Sequence, residues 1–172
     1  MTELDQFWSS IIEHSTQKAA SQGQNDIVEY LRLKAANDAV RATGAEWLFT
    51  SVAELTAEAN RRGADVEMTT VQPHRFARGN SNMVGSAVHL RRGVRCLTFE
   101  AGWTRTPSDG IMRGGVLAAG RISHFGMPRA NAELSLAYVD AMPLWHIDEA
   151  ENSRRPLRIA DLHQHFLIFL GE

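Results

Sequence analysis

Two segments in the middle of the chain bring together residue types that bind anions. Residues 73–80 include two arginines, a histidine and a phenylalanine, and residues 102–115 include two arginines, a tryptophan and several glycines. Guanidinium groups bind phosphate or carboxylate through paired hydrogen bonds, glycine lets a ligand approach the backbone, and an aromatic ring offers a stacking surface. The predicted ligand-binding residues are Arg75, Arg78, Trp103, Arg105 and Arg113.

The predicted strands explain how these two segments would meet. Residues 83–90 and 94–101 are strand-like, and 91–93, Arg-Arg-Gly, suits a short hairpin turn between them. In a hairpin the start of one strand lies beside the end of its partner, so both segments should emerge at the same end of the sheet. A second interpretation stays open, in which each arginine pairs with a carboxylate of the acidic flanking regions.

A histidine and a carboxylate in the same two segments are the candidate catalytic residues. His74 is a possible general base, because imidazole titrates near neutral pH, and Asp109 is its possible partner. Neither a Gly-x-Ser-x-Gly motif nor a Walker-type phosphate loop accompanies them. The pair therefore defines a hypothesis of hydrolase-type or transferase-type chemistry without naming a reaction.

Other polar clusters have simpler interpretations. Arg91, Arg92 and Arg95 fall at the opposite end of the hairpin, where a basic tip is expected to be solvated. His163 and His165 stand two residues apart on a predicted helix, so their side chains diverge and no metal site is predicted. His163 falls on the apolar stripe of that helix and is expected to be a core histidine.

The charge is distributed unevenly along the chain. The net charge is −2, yet residues 74–129 contain nine arginines, no lysine and two acidic residues, while the segments on either side are acidic. The single cysteine, Cys96, excludes an internal disulfide, no apolar run approaches the ~18 residues of a membrane span, and the N-terminus has no signal-peptide pattern. We therefore expect a soluble cytoplasmic protein with no membrane partner and no cofactor.

The first third of the chain has helical periodicity. Apolar residues at helical spacing predict a first helix over residues 4–12, followed by a polar break around Gly23. A second helix is predicted from Asn25 or Asp26 to about Arg41, with Gly44 as its stop, and a third from Ser51 to Gly63.

After Gly63 the apolar period changes from 3.6 to 2, which predicts strands. Residues 72–82 and 102–115 are expected to be long loops, residues 116–125 fit either a strand or a short helix, and 133–147 form a second hairpin. Segregated elements favour an α+β fold. We predict a single domain over 1–172, comprising a helical part at 1–63, an antiparallel meander of five or six strands at 64–150, and a C-terminal helix at 156–172 packed on the sheet.

The leading functional expectation is a non-enzymatic domain that binds an anion through the two arginine-rich segments. The ligand would be a nucleic-acid backbone, a small phosphate or carboxylate compound, or an acidic protein surface. The alternatives are an enzyme that uses His74 as base, with arginines holding an anionic substrate, and a structural module that forms a homodimer through its N-terminal helices.

Overall fold

A computed structural model describes residues 3–21 and 25–172, so the predicted break at Gly23 lies outside the described residues. The helices are α1 (Glu3–Ser21), α2 (Asn25–Arg61) and α3 (Ile159–Leu170). The strands are β1 (Glu67–Arg78), β2 (Ser81–Arg92), β3 (Arg95–Trp103), β4 (Val116–His124), β5 (Ala132–Val139), β6 (Met142–Asp148) and β7 (Arg154–Pro156). N-terminal helices, an antiparallel sheet and a C-terminal helix confirm the predicted α+β fold class.

The chain divides into two compact units, residues 1–42 and 43–172. The first unit contains α1 and the N-terminal part of α2, and it exposes large apolar side chains such as Trp8, Ile27, Tyr30 and Leu33. The second unit contains the rest of α2, the whole sheet and α3. The single-domain organisation stays a prediction.

One long helix replaces two of the three predicted N-terminal helices, because α2 continues through Gly44 for 37 residues. Gly44 serves as a contact point: a Cβ there would lie 2.7 Å from Leu136 Cδ2. Its carbonyl also accepts a 2.8 Å hydrogen bond from Trp145 Nε1. The expectation that Gly44 ends a helix was wrong. The absence of a side chain at Gly44 leaves room for Leu136 of the sheet, and the helix continues past this position.

All seven strands pair antiparallel in sequence order, from β1 to β7. The sequence predicted five or six strands. The prediction missed β7, because this strand has only three residues, Arg-Arg-Pro, and no apolar alternation. The predicted loop 72–82 was also wrong, since β1 continues to Arg78 and a tight turn at Gly79 leads into β2. A register shift between Val71 and His74 accommodates Pro73 within the strand, as β-bulges do.

The ambiguous segment 116–125 is strand, with residues 116–124 in β4. Both predicted hairpins form. Gly93, with φ 59°, turns the chain between β2 and β3. Asp140 and Ala141, with φ 50° and 64°, turn it between β5 and β6. Left-handed backbone at two adjacent positions suits the right-handed twist of the flanking strands.

One face of the sheet packs against α3. Phe99 of β3 stacks on Phe166 of α3, with ring centroids 6.3 Å apart. Fully or almost fully buried side chains on neighbouring strands continue this core: Val88, Leu90, Leu97, Ile122, Leu134 and Leu136. Because side chains alternate along a strand, the residues between these point to the opposite face, which we call the inner face.

Small residues let the inner face bend. One row across six strands aligns His74, Gly85, Gly102, Ala119, Ser135 and His146. A Cβ on Gly85 would lie 1.9 Å from the Ala101 carbonyl oxygen, so no other residue fits there. The end of β1 curls across the inner face, where Arg121 Nη2 donates to the Ala77 carbonyl at 2.8 Å.

Candidate functional site

The two arginine-rich segments meet, as the hairpin geometry predicted. Ser81 Oγ at the start of β2 donates to the Ile111 carbonyl at 3.2 Å, and Arg75 Nη1 lies 3.4 Å from Asp109 Oδ1. A cleft of about 720 Å³ opens between the β1–β2 turn and the loop of residues 104–115. We call it the arginine cleft, because its lining includes Arg78, Arg113 and Arg154.

Asp109 holds the 104–115 loop in shape. Its carboxylate accepts the backbone N–H groups of Thr106 at 3.0 Å and Arg105 at 3.1 Å, and the Thr106 hydroxyl at 3.1 Å. These donors, the backbone N–H of Thr106 foremost, hold the pKa of Asp109 below its usual range. Gly110 follows with φ 99°, and a Cβ there would lie 2.6 Å from Ser81 Oγ, so glycine is needed where the loop meets β2.

Arg78 is fixed from beneath the arginine cleft. Its Nη1 donates to the Leu134 carbonyl, and its Nη2 donates to Ser135 Oγ at 3.0 Å and to the carboxylate of Asp148. Arg154 Nε lies 3.1 Å from the other oxygen of Asp148. Two of the three cleft arginines therefore share one carboxylate, and with Arg113 the group carries a formal charge of +2.

Arg113 is the least engaged of the three. Its side chain is exposed, and within the described part of the chain neither a hydrogen bond nor an ion pair holds its guanidinium. Gly114 and Gly115 follow it, each with φ 69°, and turn the chain back toward β4. A Cβ on Gly114 would lie 3.7 Å from Arg154 Nη2, so glycine leaves that guanidinium uncovered.

The remaining predicted ligand-binding residues lie outside the lining of the cleft. Arg75 has a 69% exposed side chain beside Asp109. Trp103 is only 8% exposed, and the Arg105 guanidinium carbon lies 3.8 Å from the centre of its ring. The surface offered for stacking on a ligand is thus occupied by a residue of the same loop. Sequence reasoning missed Arg154, because β7 has no strand-like pattern and stands far along the chain.

His74 pairs with Glu100 in this structure, and Asp109 faces its own loop. His74 Nε2 lies 2.6 Å from Glu100 Oε1 on the inner face. Arg121 lies between Glu100 at 3.6 Å and Glu133 at 2.8 Å, and all three face the same side because β3, β4 and β5 align them in one row. The interpretation that acidic partners neutralise the arginines individually therefore holds for Arg121 and, through Asp148, for Arg78.

Two of the three tip arginines bond the end of α3, whereas Arg91 Nε donates to the carbonyl of Gly93 in the turn. Arg92 Nη1 donates to the Leu170 carbonyl at 3.0 Å, and Arg95 Nη1 donates to the Ile168 carbonyl at 3.1 Å. A Cβ on Gly171 would come within 2.9 Å of the Arg95 guanidinium, so the glycine that caps α3 also makes room for it. The prediction of a merely solvated tip was wrong for these two residues, because the final carbonyls of a helix lack partners within the helix.

Of the two histidines of α3, His165 and not His163 faces the interior. His163 is exposed, so its placement in the core was wrong, whereas His165 turns inward and its Nδ1 lies 2.9 Å from His124 Nε2. Burial lowers the pKa of His124. Burial, and then the neighbouring His124, lower the pKa of His165 to about 4. The buried stripe of α3 is centred on Leu162 and Phe166, which places position 165 at its edge and 163 outside it.

Residues 3–21 and 25–172 include neither a helix suited to span a membrane nor a cluster of metal-ligating side chains. No helix there combines the length and apolar character needed to cross a membrane. No group of three or more His, Cys, Asp or Glu residues there is arranged to hold a metal ion.

Comparison with known proteins adds no relative to this description. No protein-family model matches the chain, and neither a curated protein nor a solved structure shows significant similarity to it.

Proposed function

We propose that this protein is a non-enzymatic binding domain that takes a small phosphate or carboxylate compound in the arginine cleft. The observation that carries the proposal is the charge of the lining: three arginines contribute to it, and among the described residues that line it none is Asp or Glu. Asp148 is the nearest acidic partner, and it lies beneath Arg78 and Arg154, where it orients them. An anion placed between Arg113 and Arg154 would meet the guanidinium of Arg113 and the Nη edge of Arg154, whose Nε is engaged by Asp148.

Among the anions considered, a small compound fits best. The cleft volume of about 720 Å³ falls in the range of small-molecule sites. A nucleic-acid backbone needs a continuous basic surface, whereas Arg121, Arg78 and Arg155 pair with carboxylates and two of the three tip arginines bond α3. Among the arginines that line the cleft, Arg113 has neither a hydrogen bond nor an ion pair within the described residues, so its charge is available to a small anion there.

Calorimetric titration with inorganic phosphate and with acetate tests the proposal, using the intact chain and an Arg113→Gln variant. We expect saturable binding of at least one anion to the native protein and a loss of about tenfold in affinity for Arg113→Gln, because that side chain is a primary donor. Arg129→Gln is the matched control, since Arg129 is exposed and does not line the cleft. An equal loss in both variants, or no binding of either anion, would contradict the proposal.

A second candidate, an enzyme with His74 as base, is favoured by the 2.6 Å contact between His74 and Glu100. A carboxylate in this position orients an imidazole. Ester and phosphoester hydrolysis assays of the native protein and of His74→Gln would test it. Turnover that His74→Gln abolishes, and that the exposed-residue control His163→Gln keeps, would favour the enzyme over the binding domain.

The homodimer hypothesis concerns the first unit alone. Ile27, Tyr30 and Leu33 of α2 are between 44% and 64% exposed, which is costly for side chains of this size unless a partner covers them. Sedimentation velocity of the native chain and of a Tyr30→Ser, Leu33→Ser double variant would test this interface. If the native chain and the double variant were both monomeric at working concentration, the homodimer hypothesis would be rejected.

A further inference from the structure

Half of the arginine cleft is apolar. Met83, Ile111, Met112 and Val116 belong to its lining together with the arginines. Met83 is 2% exposed and belongs to a buried cluster with Phe76 and Ala119, against which Met112 packs. The floor is thus continuous with a core, and the arginines form a separate cationic wall.

Ile111 is the exposed end of this apolar half. It is 79% exposed at the cleft, although it is bonded in place through its carbonyl to Ser81. A compact inorganic anion bound by Arg113 and Arg154 would leave Ile111 and Met112 in contact with water. A ligand with an apolar body would cover them, and each buried methylene adds to its affinity.

We infer that the ligand of the arginine cleft is an amphipathic anion, with one phosphate or carboxylate head held by Arg113 and Arg154 and an apolar chain or ring lying on Met83, Ile111 and Met112. This inference rests on the proposed function, since it concerns the same cleft. It adds the chemical class of the ligand body. The arginines select the head through their charge, and the methionines provide an adaptable apolar floor that accepts bodies of different shapes.

Matched ligand pairs test the inference by calorimetry below the micelle concentration. Octyl phosphate is compared with inorganic phosphate, octanoate with acetate, and octanol serves as the probe without a charged head. We expect the octyl anions to bind at least about tenfold more tightly than the short anions, because a few buried methylenes suffice for that difference. We also expect octanol to bind more weakly than either octyl anion.

Ile111→Ser tests the contribution of the apolar floor to binding. Val94→Ser is its control, because Val94 is 89% exposed in the β2–β3 turn far from the cleft. We expect Ile111→Ser to weaken octyl phosphate several-fold while leaving inorganic phosphate unchanged, and Val94→Ser to change neither. Equal binding of short and long anions, or an Ile111→Ser variant that binds octyl phosphate like the native protein, would overturn the inference.

The outcomes separate this inference from the proposed function. Short anions that bind through Arg113 without any gain from the octyl chain would leave the proposed function standing and remove the amphipathic ligand. Absence of binding by every anion would remove both. Co-sedimentation with phosphatidylcholine vesicles containing phosphatidic acid, lost in Arg113→Gln, would assign the head group to a membrane lipid and overturn a free amphiphile.

Discussion

The arginines at the two ends of the β2–β3 hairpin come from one basic region of the chain, but they differ in the groups that they contact. At the turn end, Arg92 and Arg95 donate to the last carbonyls of α3. At the other end, Arg113 lines an open cleft together with Arg154 of β7, which lies outside the basic region and shares the carboxylate of Asp148 with Arg78. The first pair supports the protein's own structure, and the second lines the cleft in which we propose that a ligand binds.

The difference lies in the acceptors that the fold places nearby. A helix terminus supplies carbonyls that lack partners within the helix, and Arg92 and Arg95 lie within hydrogen-bond distance of those at the end of α3. Around the cleft, Asp148 engages one edge of Arg154, and Arg113 follows β3 on a loop whose own carboxylate, Asp109, is occupied by backbone donors. Arginine-rich sequence therefore does not by itself indicate a binding surface.

Arg78→Ala should have the largest effect on stability. The substitution removes the donor that the Leu134 carbonyl, Ser135 and Asp148 share, and it leaves the partly buried carboxylate of Asp148 with only Arg154 and the Ser135 hydroxyl as partners. We expect the free energy of unfolding to fall by about 3 kcal/mol in urea denaturation. Arg129→Ala, an exposed control, should change it by less than about 0.5 kcal/mol, and similar losses in both would place Arg78 among ordinary surface residues.

Lowering the pH should weaken the packing of α3 against the sheet. The pKa of His165 is about 4 in the folded chain against about 6.5 when unfolded, so the unfolded state binds more protons in that interval. Stability should therefore fall as pH decreases from about 6.5 to 4, by on the order of 2 kcal/mol. His165→Gln should reduce this slope and the exposed His163→Gln should not; the reverse order would contradict the assignment.

Arg154→Gln should reduce anion affinity less than Arg113→Gln does. Asp148 already engages Nε of Arg154, so only the Nη edge remains for the ligand, and we expect a loss of about fivefold in calorimetric titration. Its free energy of unfolding should stay close to that of the native protein, because the side chain is partly exposed. If Arg154→Gln bound the anion as tightly as the native protein does, Arg154 of β7 would not be part of the binding site.

Arg95→Gln should produce the smallest effect and should leave the cleft unchanged. Loss of its bonds to α3 removes a favourable cation from a helix C-terminus, which is worth about 0.5–1 kcal/mol. Thermal unfolding should shift slightly while phosphate affinity stays constant. A change of phosphate affinity in Arg95→Gln would break the distinction between the two ends of the hairpin.

Local patterns predicted most elements of the fold. The period-2 segments, the Arg-Arg-Gly turn and the apolar spacing of α3 each depend on neighbours in the chain, so they could be found without coordinates. The errors came where a residue served a distant partner. Gly44 has the position expected of a helix terminator, but its missing side chain makes room for Leu136. Pro73 is a residue type typical of loops, but it lies in a bulge of β1.

The site was predicted in part for the same reason. Arg78 and Arg113 line the cleft, whereas Arg75 and Arg105 are engaged by Asp109 and Trp103. Arg154, on β7, could not be included, because only the pairing of β6 with β7 brings it beside Asp148. The pairing of His74 with Glu100 was likewise missed, since it depends on the order of the strands, which places β1 and β3 on either side of β2.

The sequence by itself determined the α+β order of elements, the hairpin that separates two groups of arginines, and the meeting of the two arginine-rich segments. Only the tertiary structure decided which arginines are committed to internal acceptors and which face a cleft. The physical reason is that a guanidinium has the same charge everywhere, whereas its use depends on carbonyls and carboxylates that lie up to 78 residues away in the chain, as Leu170 does from Arg92.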